Sequence, residues 1–185
     1  MEKRDCAYEQ PFSIFKKEWS QMAKQQKQVK TNAIRLVEQA KVPFSVIQYA
    51  TDDQLLDGVS VAEKTGQRVE TVFKTLVTRA TDQSIHIFII PVAEELHMKK
   101  AAKVANVKKL DLLPLQQLTK ETGYVRGGCS PIGMKKQYPT YLDESAKQLD
   151  EIVVSAGKPG LQMKIAPSHL LSLTEGVYAS LCTDA

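Results

Sequence analysis

The stretch VFKTLVTRATDQSIHIFIIPV, residues 72–92, decides the fold. Its two halves, residues 72–77 and 84–92, are rich in β-branched and aromatic side chains, which favour extended strands. The polar residues Thr81-Asp82-Gln83 lie between them, and such a break between two apolar runs predicts a turn. We therefore expect two strands joined by this turn, with the apolar run 87–91 buried.

The segments on either side of this pair of strands alternate between helical and extended patterns. On the N-terminal side we expect a helix over 31–41 that Thr31 caps, a strand over 44–49 and a helix over 59–64 that Gly66 ends. On the C-terminal side we expect helices over 94–104, 115–121 and 167–173, and strands over 140–142, 151–155, 161–165 and 177–181. Because no regular βαβ repeat is present, the pattern predicts a compact α+β domain around a mixed sheet.

The overall composition is that of a globular protein with an aliphatic core. The chain has 185 residues, of which 43% are hydrophobic and 25% charged, which excludes a coiled coil or a disordered chain. Three well-separated cysteines and three histidines without ligand spacing argue against a disulfide framework, and we expect no metal or other cofactor. No apolar run approaches the roughly 18 residues of a membrane span, and the first residues lack a signal core, so we expect a cytoplasmic protein.

Residues 1–30 differ from the rest of the chain, and we expect a basic arm there, ahead of a domain over 31–185. They contain seven Lys or Arg against four Asp or Glu, so about +3 of the net charge of +4 lies here. Phe12, Phe15 and Trp19 recur at helical spacing beside lysines, which predicts an amphipathic helix. Two interpretations stay open: a helix packed on the domain, or an arm that binds nucleic acid, a membrane or a partner protein.

Lys74 is an unusual residue for its position. In the predicted strand it shares one face with Val72 and Leu76, and the opposite face is also largely apolar. A lysine in an inner strand is costly unless it is paired or points into a polar pocket. The alternative is a lysine at a sheet edge whose ammonium group reaches solvent, and the spacing favours neither.

A glycine-rich loop follows the predicted helix over 115–121. Residues 127–133 contain three glycines and one proline, and Lys135 and Lys136 come directly after them. Consecutive glycines allow backbone N–H groups to approach an anion or an ester oxygen closely, and the two lysines could meet phosphate. The alternative is a tight structural turn with solvated lysines.

Two further features offer weaker signals. The segment SAGKPG, residues 155–160, lacks the spacing and the ending of a phosphate-binding Walker loop, which argues against NTPase chemistry. It is compatible with a hairpin turn. Cys129 invites a nucleophile hypothesis, but no histidine lies near it in the sequence.

Five segments in this order resemble the YbaK/EbsC family of aminoacyl-tRNA deacylases, which is related to the editing module of bacterial prolyl-tRNA synthetases. They are KVPF leading to Tyr49 (41–49), VFKTL (72–76), ELHMKK after Pro91 (95–100), GYVRGGCSPIGMKK (123–136) and VSAGKPG (154–160). The resemblance extends over about 34–181. It implies a curved mixed β-sheet flanked by helices, with a pocket for the aminoacylated 3′ end of tRNA.

The resemblance also implies a reaction and a set of site residues. The reaction is hydrolysis of the aminoacyl ester of mischarged tRNA, most closely that of Cys-tRNA(Pro), in which the substrate's own thiol attacks the ester and no metal is required. The implied catalytic residues are Lys74 beside the terminal nucleotide, and Gly127 and Gly128 as backbone donors. The implied substrate-binding residues are Tyr49, Ser130, Ser155, Gly157 and Gln162.

The implied partners are the tRNA acceptor end and a prolyl-tRNA synthetase. Lysines that could meet the tRNA are Lys99, Lys100, Lys103, Lys135 and Lys136. The chain departs from the family pattern at Gln162, where the deacylase branch usually has an aspartate, so the negative charge is absent. This departure leaves open a catalytically weak module that binds tRNA or an oligonucleotide, and the arm leaves open a regulatory protein that acts through residues 1–30. The oligomeric state is left open.

Overall fold

The chain folds into helices packed around two β-sheets. The computed structural model describes residues 30–51 and 57–183, and within these ranges it contains five α-helices and eight strands. The helices are α1 (Asn32–Ala40), α2 (Gly58–Lys64), α3 (Met98–Val104), α4 (Leu115–Thr122) and α5 (Pro167–Thr174). The strands are β1 (Phe44–Gln48), β2 (Phe73–Ala80), β3 (Ile85–Pro91), β4 (Leu110–Leu112), β5 (Thr140–Asp143), β6 (Ile152–Lys158), β7 (Leu161–Ile165) and β8 (Val177–Ala179).

The five-stranded sheet is mixed and has the order β4-β2-β3-β5-β8. The strands β2 and β3 are antiparallel, with Lys74 opposite Ile90, and they form the predicted hairpin. The strands β3, β5 and β8 run parallel to one another. This combination of antiparallel and parallel pairs, with helices outside them, confirms the α+β class.

The second sheet has three antiparallel strands in the order β1-β7-β6. Gln162 on the central strand β7 lies opposite Ile47 of β1 and opposite Ser155 of β6. An isolated parallel bridge between Val72 and Val153 joins the two sheets. The two sheets are therefore joined where β2 begins and β6 runs beside it.

The strand β3 is buried on both faces, which explains its unbroken apolar sequence. Ile87 and Ile89 face a large core that also contains residues of α1, β6 and β7. Phe88 and Ile90 face a second core, which Ala101 of α3 helps to cover. Both sides of the five-stranded sheet are thus closed by apolar packing.

Most predicted elements are present, with shifted ends. The helix predicted over 94–104 begins at Met98, because His97 acts as its N-cap and its Nδ1 accepts a hydrogen bond from the N–H of Lys100 at 3.2 Å. The sequence patterns did not predict the short strand β4 or the 3-10 helices Val69–Thr71 and Glu144–Gln148.

The predicted arm, residues 1–30, lies outside the described residues except for Lys30, so its helix stays a prediction. None of the helices in the described ranges combines the length and the apolar character needed to cross a bilayer.

Candidate active site

A cavity of about 870 Å³ lies where the two sheets meet. Its volume is within the range of pockets that enclose small ligands. Within the part of the chain that the structure describes, four segments form its wall: the start of β2, the segment around the start of α2, the glycine loop, and residues of the three-stranded sheet. The lining residues are Tyr49, Asp57, Gly58, Val59, Val61, Val72, Phe73, Lys74, Thr75, Leu76, Val92, Arg126, Gly127, Cys129, Ser155 and Gln162.

Lys74 lies in the wall of this cavity, near the start of β2. Its side chain is half-buried, and its Nζ donates a hydrogen bond to the carbonyl oxygen of Val92 at 3.1 Å. An ammonium group carries three N–H donors, so two remain for a ligand. Of the two interpretations that the sequence left open, the structure corresponds to a lysine at a pocket.

The two consecutive glycines have different environments. Gly127 has a φ of +76° and lines the cavity. The N–H of Gly128 donates to the carbonyl oxygen of Val125 at 3.1 Å, which closes a turn over residues 125–128. A Cβ added to Gly128 would lie 2.6 Å from Cδ of Pro159, so this residue is packed against the β6–β7 hairpin. Of the two implied backbone donors, Gly127 therefore lines the cavity, whereas the N–H of Gly128 is used within the turn.

The opposite wall comes from the three-stranded sheet and the residue after β1. Tyr49 follows β1, and its N–H donates to the carbonyl oxygen of Gly160 at 3.0 Å. Ser155 and Gln162 lie opposite each other in the ladder, and both line the cavity. Among the described residues, these three and Lys74 are the predicted side chains that the cavity brings together.

Two buried polar atoms at this cavity lack a hydrogen-bond partner among the described residues. Gln162 is 7% exposed, and its Oε1 accepts no hydrogen bond. The Oγ1 of Thr75, the residue after Lys74, is also buried and makes no hydrogen bond to the described residues. Buried polar atoms are normally paired, because an unpaired one costs about 1–3 kcal/mol. Both residues belong to the cavity wall.

Two predicted substrate-binding residues lie outside the cavity wall. Ser130 is fully buried in the glycine loop, where its Oγ accepts a hydrogen bond from the N–H of Ile132 at 3.3 Å. Gly157 has a φ of +96° and lies in the curved end of β6, where an added Cβ would be 2.9 Å from Cε1 of Tyr124. Ser130 is thus engaged within the glycine loop, and Gly157 is packed within β6.

The predicted tRNA-contacting lysines differ in whether their ammonium group donates a hydrogen bond to the described residues. Lys99 and Lys103 are exposed on α3, and Lys136 is exposed after the glycine loop. The Nζ of Lys100 donates to the carbonyl oxygen of Cys182 at 3.0 Å, and that of Lys135 to the carbonyl oxygen of Lys120 at 3.1 Å. The ammonium groups of these two lysines are thus tied to the backbone.

Cys129 lines the cavity, but its thiol is poorly suited to act as a nucleophile. Burial raises the pKa of this thiol to about 12, so it stays protonated at neutral pH.

The described residues also contain no group of three His, Cys, Asp or Glu side chains arranged to hold a metal ion. The polar chemistry of the cavity therefore comes from Lys74, Arg126, amide, hydroxyl and backbone groups, and from the carboxylate of Asp57.

The sequence interpretation missed four lining residues that carry polar groups or tight packing: Asp57, Gly58, Thr75 and Arg126. Thr75 carried a signal, since it interrupts the apolar face of the predicted strand. Asp57 caps α2, where its Oδ1 accepts a hydrogen bond from the N–H of Ser60 at 3.0 Å. A Cβ on Gly58 would lie 2.2 Å from Cγ1 of Val92, a tertiary contact that no local pattern shows.

Comparison with known proteins identifies the class to which this fold and cavity belong. The sequence model of the aminoacyl-tRNA editing domain matches residues 55–173, and the chain belongs to this family. Among curated relatives, it is 49% identical over 162 residues to EbsC of Enterococcus faecalis, a proposed Cys-tRNA(Pro)/Cys-tRNA(Cys) deacylase. That match covers 88% of this chain and 99% of the relative. An uncharacterised protein of Bacillus subtilis, YwhH, is 23% identical over 66% of this chain and 78% of its own length.

Solved structures support the same fold. A proposed trans-editing enzyme for prolyl-tRNA synthetase superposes with a TM-score of 0.73 at 22% identity, over 84% of this chain and 99% of that one. A hypothetical protein superposes with a TM-score of 0.75 at 16% identity, over 83% of this chain and all of the other. The mixed α+β fold predicted through the family resemblance is thus confirmed.

Proposed function

We propose that this protein hydrolyses the aminoacyl ester of mischarged tRNA in trans, and that its main substrate is Cys-tRNA(Pro). One observation carries the proposal: a single cavity contains Lys74, the backbone of Gly127 and two unpaired buried polar atoms. Family membership and the deacylase relative support it.

The reaction needs positioning and charge stabilisation more than a strong base. An aminoacyl ester is already activated, and its carbonyl oxygen gains negative charge in the transition state. Donors aimed at that oxygen in a site shielded from water supply much of the rate enhancement in such reactions. We assign this role to the N–H of Gly127, and we assign Lys74 to the terminal nucleotide and the charge that develops beside it.

The nucleophile in this proposal belongs to the substrate. The thiol sulfur of the cysteinyl group attacks the ester carbonyl carbon, so that a C–S bond forms and the C–O bond to the ribose breaks. The thiol proton passes to the departing ribose oxygen, and water then opens the cyclic thioester to give free cysteine. The high pKa of Cys129 supports this scheme, because the protein's own cavity thiol is protonated.

Gln162 and Thr75 are proposed to contact the aminoacyl group. An unpaired acceptor in a buried wall favours ligands that bring a donor, such as an ammonium, hydroxyl or thiol group. A site of this kind discriminates strongly against analogues that lack the donor, since binding them leaves the protein atom unpaired. Ser155 and Tyr49, which lie in the same wall, complete this part of the proposed pocket.

The remaining tRNA contacts are proposed to be electrostatic. Lys99 and Lys103 on α3 and Lys136 after the glycine loop are exposed and suited to backbone phosphates of the acceptor stem. The ammonium groups of Lys100 and Lys135 are bonded to carbonyl oxygens, and each adds positive charge beside the exposed lysines next to it in the chain. We expect the enzyme to work in the cytoplasm beside prolyl-tRNA synthetase, which supplies the mischarged tRNA.

The test is a panel of charged tRNAs. The protein is incubated with Cys-tRNA(Pro), Ala-tRNA(Pro), Ser-tRNA(Ala) and Pro-tRNA(Pro), with Lys74→Ala as the control variant. Selective loss of Cys-tRNA(Pro) that the variant does not catalyse would support the proposal. Equal rates for both proteins, or rates at the level of buffer, would refute it. Retained tRNA binding without turnover would instead support a binding module.

A further inference from the structure

Arg126 is a cation at the cavity that neither the family resemblance nor the reaction scheme uses. Its side chain is exposed, and it lines the cavity together with Lys74. No hydrogen bond or ion pair to its guanidinium group is formed by the described residues. Arginine can bind phosphate through two parallel N–H groups, and a free guanidinium at a cavity opening is suited to that contact.

The glycine loop fixes where Arg126 is presented. Arg126 is the second residue of the turn that the N–H of Gly128 closes on the carbonyl oxygen of Val125. Gly127, the third residue, has a φ of +76°, as in a type II turn, where glycine is favoured. Gly128 abuts the backbone of Lys158 and Pro159, which anchors the turn to the β6–β7 hairpin. The two glycines thus place an arginine on a rigid turn at the cavity.

The charge balance of the cavity wall favours an anionic ligand. Asp57 is the one acidic lining residue among those described, and its Oδ1 is engaged with the N–H of Ser60. Hydrogen bonds from Ser60 lower the pKa of this carboxyl group, so it is ionised at neutral pH. The described part of the wall also contains two cations, the half-buried Lys74 and the exposed Arg126, so this part has a net positive charge.

We propose that Arg126 binds a phosphodiester group of the single-stranded 3′ end of tRNA at the mouth of the cavity, outside the position of Lys74. This inference rests on the proposed function and names a contact that the function requires. It makes Arg126 a substrate-positioning residue whose contact is the same in the ground state and the transition state. Its loss should therefore raise KM and leave kcat nearly unchanged.

The test compares two substrates that differ in phosphate. Wild type, Arg126→Gln and Arg126→Lys are assayed with Cys-tRNA(Pro) and with 3′-cysteinyl adenosine, which has no phosphate. The control is Arg68→Gln, which removes an exposed arginine outside the cavity, 3.7 Å from Glu70. Circular dichroism melts check the fold, and Arg126→Gln should keep the melting temperature because the side chain is exposed.

For Cys-tRNA(Pro), we expect Arg126→Gln to lower kcat/KM by about ten- to hundredfold through KM, and Arg126→Lys to restore part of it. The slope of log kcat/KM against log salt should become shallower by about one. The rate with 3′-cysteinyl adenosine should not change. An Arg126→Gln variant that matches wild type or the Arg68→Gln control on tRNA, or that loses both substrates equally, would overturn the inference.

The inference can also be tested if the proposed function fails. If wild type hydrolyses neither substrate, binding of an uncharged CCA oligonucleotide is measured by fluorescence anisotropy. Weaker binding by Arg126→Gln than by Arg68→Gln would support the phosphate contact, and equal binding would overturn it.

Discussion

The Nζ of Lys74 lies 3.1 Å from the carbonyl oxygen of Val92, so the lysine is bonded to the backbone just beyond the strand that pairs with its own. The N–H of Val92 donates in turn to the carbonyl oxygen of Val72 at 2.9 Å. This pair of contacts holds the ammonium group at the cavity wall before substrate arrives. Preorganised charge of this kind is what a transition state with developing charge requires.

Replacing Lys74 by methionine should remove activity and preserve the fold. Met keeps most of the length of the side chain but lacks the charge, so we expect kcat/KM for Cys-tRNA(Pro) to fall by about a hundredfold or more. The free energy of unfolding in urea should stay equal or rise, because a half-buried charge is removed. A variant that kept its full rate would show that Lys74 has no part in the reaction.

Gln162→Leu should raise the stability of the fold and lower the activity. The substitution removes the unpaired Oε1 from a residue that is 7% exposed, so the free energy of unfolding should rise by about 1 kcal/mol. The same change should lower kcat/KM, because it removes the acceptor that we propose for the substrate. Urea titration and deacylation assays on one preparation check both effects, with Gln162→Glu as a variant that keeps the acceptor. Loss of stability together with activity would indicate a structural role alone.

Cys129→Ala should leave most of the activity intact. Burial raises the pKa of the Cys129 thiol to about 12, and a protonated thiol does not serve as a nucleophile at neutral pH. The cost should be confined to packing, about 1 kcal/mol of unfolding free energy. Deacylation of Cys-tRNA(Pro) by the variant checks this, and complete inactivation of a folded variant would assign the chemistry to the protein's thiol.

Gly128→Ala should disturb the cavity through its loop. The new Cβ would lie 2.6–2.8 Å from atoms of Pro159 and from the backbone of Lys158, so the turn must shift, at a cost of about 1–3 kcal/mol. We expect a lower melting temperature and reduced deacylation. Gly66→Ala is the matched control: its φ is +63° but nothing lies within 4 Å of its Cβ. Gly66→Ala should lose stability through backbone strain and keep its kcat. Equal kcat values for the two variants would show that the contact of Gly128 with Pro159 does not position the turn for the reaction.

Below pH 6.5, stability should depend on His86. This residue is 5% exposed, stacks on Tyr141 and has an unpaired Nδ1. Burial lowers the pKa of His86 below its ordinary value of 6.5, and the nearby carboxylate of Asp82 opposes this shift. The unfolded chain therefore takes up the proton first, so stability should fall as pH drops from 6.5 to the lowered pKa and level off below it.

The non-titrating variant His86→Phe provides the comparison for this prediction. Urea unfolding at a series of pH values should show a weaker pH dependence for the variant within that window. Parallel curves for the two proteins would mean that another group accounts for the acid sensitivity.

The sequence predicted strand and helix positions well where the pattern was long or continuous. The run of β3 was visible because it is an unbroken apolar stretch, and the lysine in β2 was visible because side chains of a strand alternate between its two faces. The strand β4 was not predictable, since it has three residues and Leu112 is 58% exposed. Its place in the sheet comes from pairing with β2, which is a tertiary contact.

The site was predictable in its residue types and only partly in its geometry. A pair of glycines is compatible with an anion-binding loop and with a tight turn. What distinguishes Gly127 from Gly128 is contact with Pro159, about thirty residues further along the chain. The burial of Ser130 and the exposure of Arg126, four residues apart in one loop, likewise have no signal in the local sequence.

The bridge between Val72 and Val153 places the cavity on a seam, with Lys74 and Thr75 contributed by one sheet and Ser155 and Gln162 by the other. Substitutions on β6 or β7 can therefore reshape the wall proposed to face the amino acid without altering the hydrogen-bond ladder that carries Lys74. If the proposed roles hold, the choice of amino acid and the placement of the ammonium group can therefore be altered separately, each by substitutions in one sheet.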